Sequence, residues 1–279
     1  MIDKLKKIKL IVIDIDGTLV DKNGRVGEKS LTLARQLKSQ GIYCTLSSAR
    51  SYHFSSHIAD ELDIDIPFIT LDGALIKDRK HNVVFKSTVK EKTIRRAIRL
   101  AEANYGKVTV CDEKYVYVTP KNSVVREYSR LNAPIKEVQS LENIKDVLEI
   151  LIYCEDKGSL RAIRNNFKFP HDIGLILNVT KSLSNDYYLL TIKRKGGDKL
   201  SSVKRLVKFL NLKKRNIAVI GDWHNDMPLF KYGAYNFAVQ NAIPELKRRA
   251  DYITSCTNNE DAVGEVLELV HNYKIKEAV

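Results

Sequence analysis

A run of apolar residues, Ile8 to Ile13 broken only by Lys9, leads straight into Asp14-Ile15-Asp16-Gly17-Thr18-Leu19. A short β-branched run of this kind reads as a strand buried on both faces of a parallel sheet. Open α/β sheets build their sites just beyond the carboxyl ends of such strands. The feature therefore constrains both the fold class and the place where chemistry is done. Period-two alternation would send the side chains of residues 14 and 16 to one side, where like charges raise each other's pKa unless a cation lies between them. A hard divalent metal meets that demand, with Asp14 left to act as a nucleophile and Asp16 as acid and base. Taken alone, the same residues also read as a turn after a strand, with Asp14 capping a backbone amide.

A second segment shifts the balance. Ile217 to Ile220 followed by Gly221-Asp222-Trp223-His224-Asn225-Asp226 repeats the arrangement of apolar strand and acidic loop. If the two strands are neighbours, Asp14, Asp16, Asp222 and Asp226 meet at one sheet edge. Up to four negative charges there are hard to fold without Mg²⁺.

A length of 279 residues suggests about two domains. With 44% hydrophobic and 29% charged residues the chain reads as soluble and globular, and no apolar stretch approaches the length needed to cross a bilayer. The basic start, Met1 to Lys9, precedes an apolar run too short for a signal-peptide core, so a cytoplasmic location is expected. Cys44, Cys111, Cys154 and Cys256 lack paired spacing, which argues against a zinc site or a disulfide framework. The net charge of +13 raises nucleic acid as a partner. Its distribution in scattered pairs, such as Lys6-Lys7, Arg95-Arg96, Lys213-Lys214-Arg215 and Arg248-Arg249, reads instead as solvated faces, so no specific nucleic acid is expected.

The order of elements predicts an α/β fold. Helical spacing over Glu28 to Gln40, a strand at Ile42 to Leu46, a helix over Tyr52 to Leu62 and a strand at Pro67 to Thr70 make β-α-β-α-β. Leu71 to Ile76 and Val83 to Phe85 read as a hairpin. The middle is α+β and mostly antiparallel, from a basic helix at Lys90 to Asn104 to strands at Ile173 to Thr180 and Tyr187 to Lys193. A domain inserted over residues 86–189 is expected. The end resumes the first style, with a helix at Lys199 to Leu210, a strand at Asn216 to Ile220 and a final helix at Asp261 to Asn272.

Four motifs stand in order: Asp14-Ile15-Asp16-Gly17-Thr18, Ser48-Ala49-Arg50, Lys199 within Gly196-Gly197-Asp198-Lys199, and Gly221-Asp222 with Asn225-Asp226. On these, nearly the whole chain resembles a haloacid dehalogenase superfamily phosphatase of the Cof-like type. The resemblance implies a Rossmann-like parallel-sheet core over 1–85 and 190–279 and a cap over 86–189. It implies Asp14 as the nucleophile that takes the phosphoryl group and Asp16 as the acid and base at the leaving oxygen. Ser48 and Asn225 would contact the phosphoryl group, and Lys199 would neutralise it. Mg²⁺ would be held by Asp14, the Asp16 backbone carbonyl, Asp222 and Asp226. Ala49, Arg50, Asp72 and Gly73 complete the candidate substrate-binding set. The implied substrate is a small phosphorylated metabolite such as a sugar phosphate. A phosphomutase using the same phospho-aspartate is the alternative, and a nucleic-acid-binding module a third reading.

Each residue also has a plainer use. Ser48 suits a helix cap, Lys199 a surface lysine, and Asp226 a cap on the helix it precedes. The chain departs from the family pattern at Ala49, where a glycine is usual, and at Asp72, where Asn is usual. Trp223-His224 is bulkier than the usual small residues. Specificity is expected in the cap, with Tyr115, Tyr117, His171 and Tyr187 as candidates.

Overall fold

The computed structural model describes residues 5–120, 134–167, 173–181 and 187–278, so His171 lies outside the described residues. The chain begins with β1 (Leu10–Ile13), α1 (Glu28–Ser39), β2 (Tyr43–Leu46), α2 (Tyr52–Glu61), β3 (Phe68–Thr70), β4 (Leu75–Lys77) and β5 (Val83–Lys86). Its middle gives α3 (Glu91–Glu102), β6 (Lys107–Cys111), β7 (Val116–Val118), β8 (Ile135–Glu137), β9 (Glu149–Cys154), α4 (Lys157–Asn166), β10 (Leu175–Lys181) and β11 (Tyr188–Arg194). It closes with α5 (Lys199–Phe209), β12 (Ile217–Gly221), α6 (Met227–Tyr232), β13 (Tyr235–Ala238), α7 (Pro244–Lys247), β14 (Tyr252–Ile253) and α8 (Ala262–Ala278). Two compact units result: Met1–Arg50, Ser55–Phe85 and Asp198–Val279 form one, Ser51–Phe54 and Lys86–Gly197 the other.

The first unit is built on a parallel sheet in the order β14-β13-β12-β1-β2. β1 lies between its two neighbours, with Leu10 to Ile13 facing Ile217 to Ile220 on one side and Tyr43 to Leu46 on the other. All four β1 side chains are fully buried, as an unbroken apolar run on a central strand demands. Each such side chain contributes about 1.5–3 kcal/mol of burial. α1 turns Leu33, Ala34 and Leu37 inward at helical spacing, and α8 packs on α1 with Val263, Val266, Leu267 and Val270 buried.

The order β1-α1-β2-α2-β3 is the expected β-α-β-α-β, and the departure lies in the hairpin expected from Leu71, whose first strand begins only at Leu75. β3 meets β2 only through an isolated parallel bridge, Ser47 to Ile69, and pairs antiparallel with β4 in a separate sheet ordered β3-β4-β5. The cause is local. Leu71, Asp72 and Gly73 have φ of 50°, 48° and 106°, so the chain reverses within one tight turn instead of continuing as a strand.

The second unit holds a sheet ordered β10-β11-β9-β6-β7-β8. Val108, Val110, Ile150, Ile152, Leu190 and Ile192 face α3 and α4, which contribute Ile94, Ala97, Ala101, Leu160, Ile163 and Phe167. Tyr188 to Ile192 pair with Cys154 to Ile150, which keeps all of β11 in this unit and extends it to Gly197. β8 gives little sequence signal because Lys136 and Glu137 are exposed. Tyr117 belongs to the buried cluster and donates to Asp112 Oδ2 at 2.8 Å, while Tyr187 packs with Leu151 and Tyr153. Tyr115 is exposed and meets Tyr117 edge-on. The four cysteines are free, and burial pushes the Cys44 thiol up to about 12. Among the described residues no helix is long and apolar enough to cross a membrane.

Candidate active site

The adjacency of β1 and β12 brings the two acidic loops to one sheet edge. Asp14 follows Ile13 directly and its N–H donates to Ile220 O at 3.1 Å, while Asp222 follows the last residue of β12. One carboxylate oxygen from each of Asp14, Asp222 and Asp226 lies within 4.8 Å of the others, and all three residues are buried. A Cβ at Gly17 would stand 2.4 Å from Asp222 Oδ2, and the φ of +76° there is one that glycine adopts without strain, so this loop needs its glycine.

Lys199, the first residue of α5, enters the same cluster with only 3% exposure. Asp198 caps that helix by accepting from the Ser201 N–H at 2.9 Å, which fixes where Lys199 starts. The Lys199 ammonium donates to Asp14 Oδ1, and to Asp226 Oδ1 at 2.7 Å. It is therefore no surface lysine. Asp226 is fully buried, and its other oxygen accepts from the N–H groups of Asp222 at 3.2 Å and Trp223 at 3.4 Å. Asp226 does not cap the helix it precedes, since its carboxylate makes no hydrogen bond to that helix; it braces the loop before it and belongs to the acidic cluster.

The electrostatics show what this cluster accommodates. Burial pushes the Asp14 carboxyl well above the usual range, with Lys199 opposing and Asp226 adding to the rise. Burial pushes Asp222 up to about 6, the Asp226 charge adding and a hydrogen bond from Thr18 opposing. Burial works against the Lys199 charge, yet Asp14 and Asp226 outweigh it and hold the ammonium above its ordinary value. Three carboxylates and one ammonium leave a net charge of minus two, which a divalent cation cancels. All the available donors are carboxylate oxygens, the type that hard cations such as Mg²⁺ and Ca²⁺ take.

The other candidates take distinct places. The Asp16 carboxylate is not among the three, because β1 ends at Ile13 and period-two alternation does not extend through the loop. Instead Arg50 grips it, with Nε 2.9 Å from Oδ2 and Nη2 2.6 Å from Oδ1. Ser48 lies at the end of β2, 1% exposed, and its Oγ accepts from the Arg50 N–H at 3.1 Å. Ala49 has no positive φ, so the loop does not require the usual glycine. Asp72 sits in the left-handed region that Asn and Asp tolerate best, which explains why either suits the position. It accepts from Asn225 Nδ2 at 3.3 Å, and its own N–H donates to Ser48 O at 2.8 Å. Gly73 is required by packing: a Cβ there would stand 2.3 Å from the Asp198 backbone. Its carbonyl accepts from Ser202 Oγ at 2.6 Å, tying this turn to α5.

Two residues escape a reading of the sequence. Thr18 is fully buried and donates to Asp222 Oδ1 at 2.9 Å; its signal is a hydroxyl inside the first motif. Asn241 donates to Gly17 O at 2.7 Å across a separation of 224 residues, for which no local pattern gives notice.

The profile of the haloacid dehalogenase-like hydrolases matches residues 11–267. The chain belongs to this family. Among relatives of this hydrolase, the Bacillus subtilis stress response protein YhaX is 26% identical over 272 residues, covering 93% of this chain and 92% of its own. The 5-amino-6-(5-phospho-D-ribitylamino)uracil phosphatase YitU of the same organism is 22% identical over 266 residues, covering 93% and 96%. The crystal structure of a haloacid dehalogenase-like hydrolase from Bacteroides thetaiotaomicron has a TM-score of 0.82 at 26% identity, over 94% of this chain and 99% of that one. The hydrolase is thus an enzyme with an α/β core, and its acidic cluster stands at the carboxyl edge of the core sheet, where this architecture places its chemistry.

Proposed function

We propose that this hydrolase is a Mg²⁺-dependent phosphatase acting on a small phosphorylated metabolite through a phospho-aspartate at Asp14. The observation that carries the reading is the buried Lys199 shared between Asp14 and Asp226, with Asp222 alongside. A lysine held charged there neutralises both the nucleophile and the phosphoryl oxygens that approach it, which is most of what phosphoryl transfer asks of a protein.

In this reading an Asp14 oxygen attacks phosphorus in line, and the bond to the leaving oxygen breaks as Asp16 gives that oxygen a proton. Asp16 then takes a proton from a water that attacks phosphorus, and the bond to Asp14 is broken. The Arg50 fork on Asp16 fixes the direction of that carboxylate. Ser48 and Asn225 donate to the phosphoryl oxygens. Held by Asp14, Asp222, Asp226 and the Asp16 carbonyl, Mg²⁺ supplies Lewis acidity toward the phosphoryl oxygens.

The test is release of phosphate by the purified protein, with Mg²⁺ or with chelator, from a panel of sugar phosphates, nucleotides and phosphorylated cofactors. The name of YitU makes phosphorylated ribityl compounds the first to include. Mg²⁺-dependent release from at least one class is expected. Undiminished release in chelator, or none from any phosphomonoester with Mg²⁺, overturns the reading.

A further inference from the structure

The second unit contains a cavity of about 530 Å³ whose lining includes Lys90, Lys92, Arg96, Arg99 and Arg194 and, among the described residues, no carboxylate. From this we infer a binding site for a small organic anion that carries two or more phosphate groups. All the lining residues belong to the unit over Lys86–Gly197, and none belongs to the acidic cluster described above.

The sequence places four of these cations along α3, from Lys90 just before its first turn to Arg99 in its last, where they read as a solvated face. The fold changes that reading by bringing in Arg194, through the antiparallel pairing of Leu175 with Arg194. The acidic residue nearest in sequence is turned away: Glu91 pairs with Lys145 and, at 3.2 Å, with Arg95. Among the described residues none of the five cations makes an ion pair with a carboxylate. Five like charges around one cavity repel one another, and a bound polyanion relieves that repulsion.

Arg96 gives the site a built element. One Nη donates to Asn166 O at 2.8 Å and the guanidinium stands 5.8 Å from the Phe167 ring, so the group is held in place. Its Nε is buried and, among the described residues, has no hydrogen-bond partner. A buried donor of this kind calls for an acceptor, and the guanidinium fork matches phosphate oxygens best. Lys90 is the N-cap of α3 and carries no acceptor for the first N–H groups of that helix, which adds the positive end of a helix dipole to the same cavity. Thr93 lines the wall as well. Phe167, Ile173 and Leu175 form an apolar side that suits the organic part of the ligand, and the volume lies in the range of small-molecule sites.

The inference does not depend on the reaction proposed above. It is tested by isothermal titration of the full chain, in chelator and at about 0.15 M salt, an ionic strength that screens exposed charges. The probes are pyrophosphate for the phosphate groups alone and ADP for phosphate with an organic part. One-to-one binding of ADP is expected, weakened about tenfold or more by Arg96→Gln with Arg194→Gln, the size set by loss of a charge-assisted hydrogen bond. Lys92→Gln with Arg99→Gln, on the exposed side of α3, serves as a second pair if the first does not fold. Hydrolysis of an aryl phosphate should be unchanged in the pocket variants. Ser48→Ala, and the remote pair Lys213→Gln with Lys214→Gln, should leave ADP binding unchanged. No binding of either probe at millimolar concentration overturns the inference. So does equal weakening by the remote pair, which means net charge alone, and so does loss in Ser48→Ala, which places the anion at the catalytic cluster. A single-stranded oligonucleotide that binds more tightly than ADP through the same arginines also overturns it.

Discussion

Lowering the pH should stabilise the metal-free enzyme between about pH 7.5 and 5, in a window where most proteins are flat or losing stability. The perturbation is chelation followed by titration. Burial pushes the Asp222 carboxyl from an ordinary 3.8 up to about 6, with the Asp226 charge assisting. The folded state therefore holds this proton more tightly than the unfolded chain does. Stability rises as pH falls through about 6, and the gain is complete only below the unfolded value. At neutral pH the ionised group costs about 3 kcal/mol, from about 1.4 kcal/mol for each pH step between the two values. No discount for solvent screening is needed, since Asp222 is 8% exposed. Asp14, also pushed up by burial, acts in the same direction. About 1.4 kcal/mol of the Asp222 cost is regained by pH 5, one pH step below the folded value, so at about 2–4 °C per kcal/mol the metal-free melting temperature should climb by roughly 3–6 °C over this window from Asp222 alone. Mg²⁺ at pH 7.5 should recover much of that stability, because it answers the same repulsion. Differential scanning fluorimetry with and without Mg²⁺ measures both effects, and Asp222→Asn should reduce both, leaving the part that Asp14 contributes. A metal-free melting temperature that is flat or falls from pH 7.5 to 5, or effects that survive Asp222→Asn undiminished, would refute the reasoning.

Other substitutions probe single contacts. Asp16→Asn should cut turnover severely, and more for alkyl than for aryl phosphates, because poor leaving groups need the proton most; an equal loss on both, measured as kcat, sinks the acid role. Lys199→Gln leaves Asp14 and Asp226 buried without their shared cation, so urea unfolding at neutral pH should show a loss of about 3–5 kcal/mol, and a loss under 1 kcal/mol would contradict the buried pairing. Gly17→Ala places a methyl against Asp222 at a positive φ, which should cost about 1–3 kcal/mol and weaken the Mg²⁺ response in the same fluorimetry; wild-type behaviour would show that the loop yields freely.

How much of this was legible in the sequence depends on the distance over which each signal acts. The meeting of Asp14 with Asp222 and Asp226 was legible because two apolar runs, each ending in acidic loops, imply buried parallel strands, and Leu10 to Ile13 do lie beside Ile217 to Ile220. The motifs already implied Lys199 as the cation at the phosphoryl group; what only the fold shows is its burial and its sharing between Asp14 and Asp226. The tight turn at Leu71 to Gly73 was hidden because leucine rarely takes a positive φ, so Leu71 reads as the first residue of the hairpin strand that in fact begins at Leu75 and pairs back on β3. Asn241 and the cavity lined by Arg194 depend on pairing between segments far apart, to which local patterns are blind.

The central claim is that Asp14 is the nucleophile, and Asp14→Asn tests it most directly by removing the attacking charge with almost no change of volume. With Mg²⁺ and a substrate found in the panel, the wild-type protein quenched in acid during turnover should carry one phosphoryl group on the peptide that contains Asp14. The Asp14→Asn variant, folded by circular dichroism, should carry none and release no phosphate above background. Phosphate release by folded Asp14→Asn at near the wild-type rate would contradict the account.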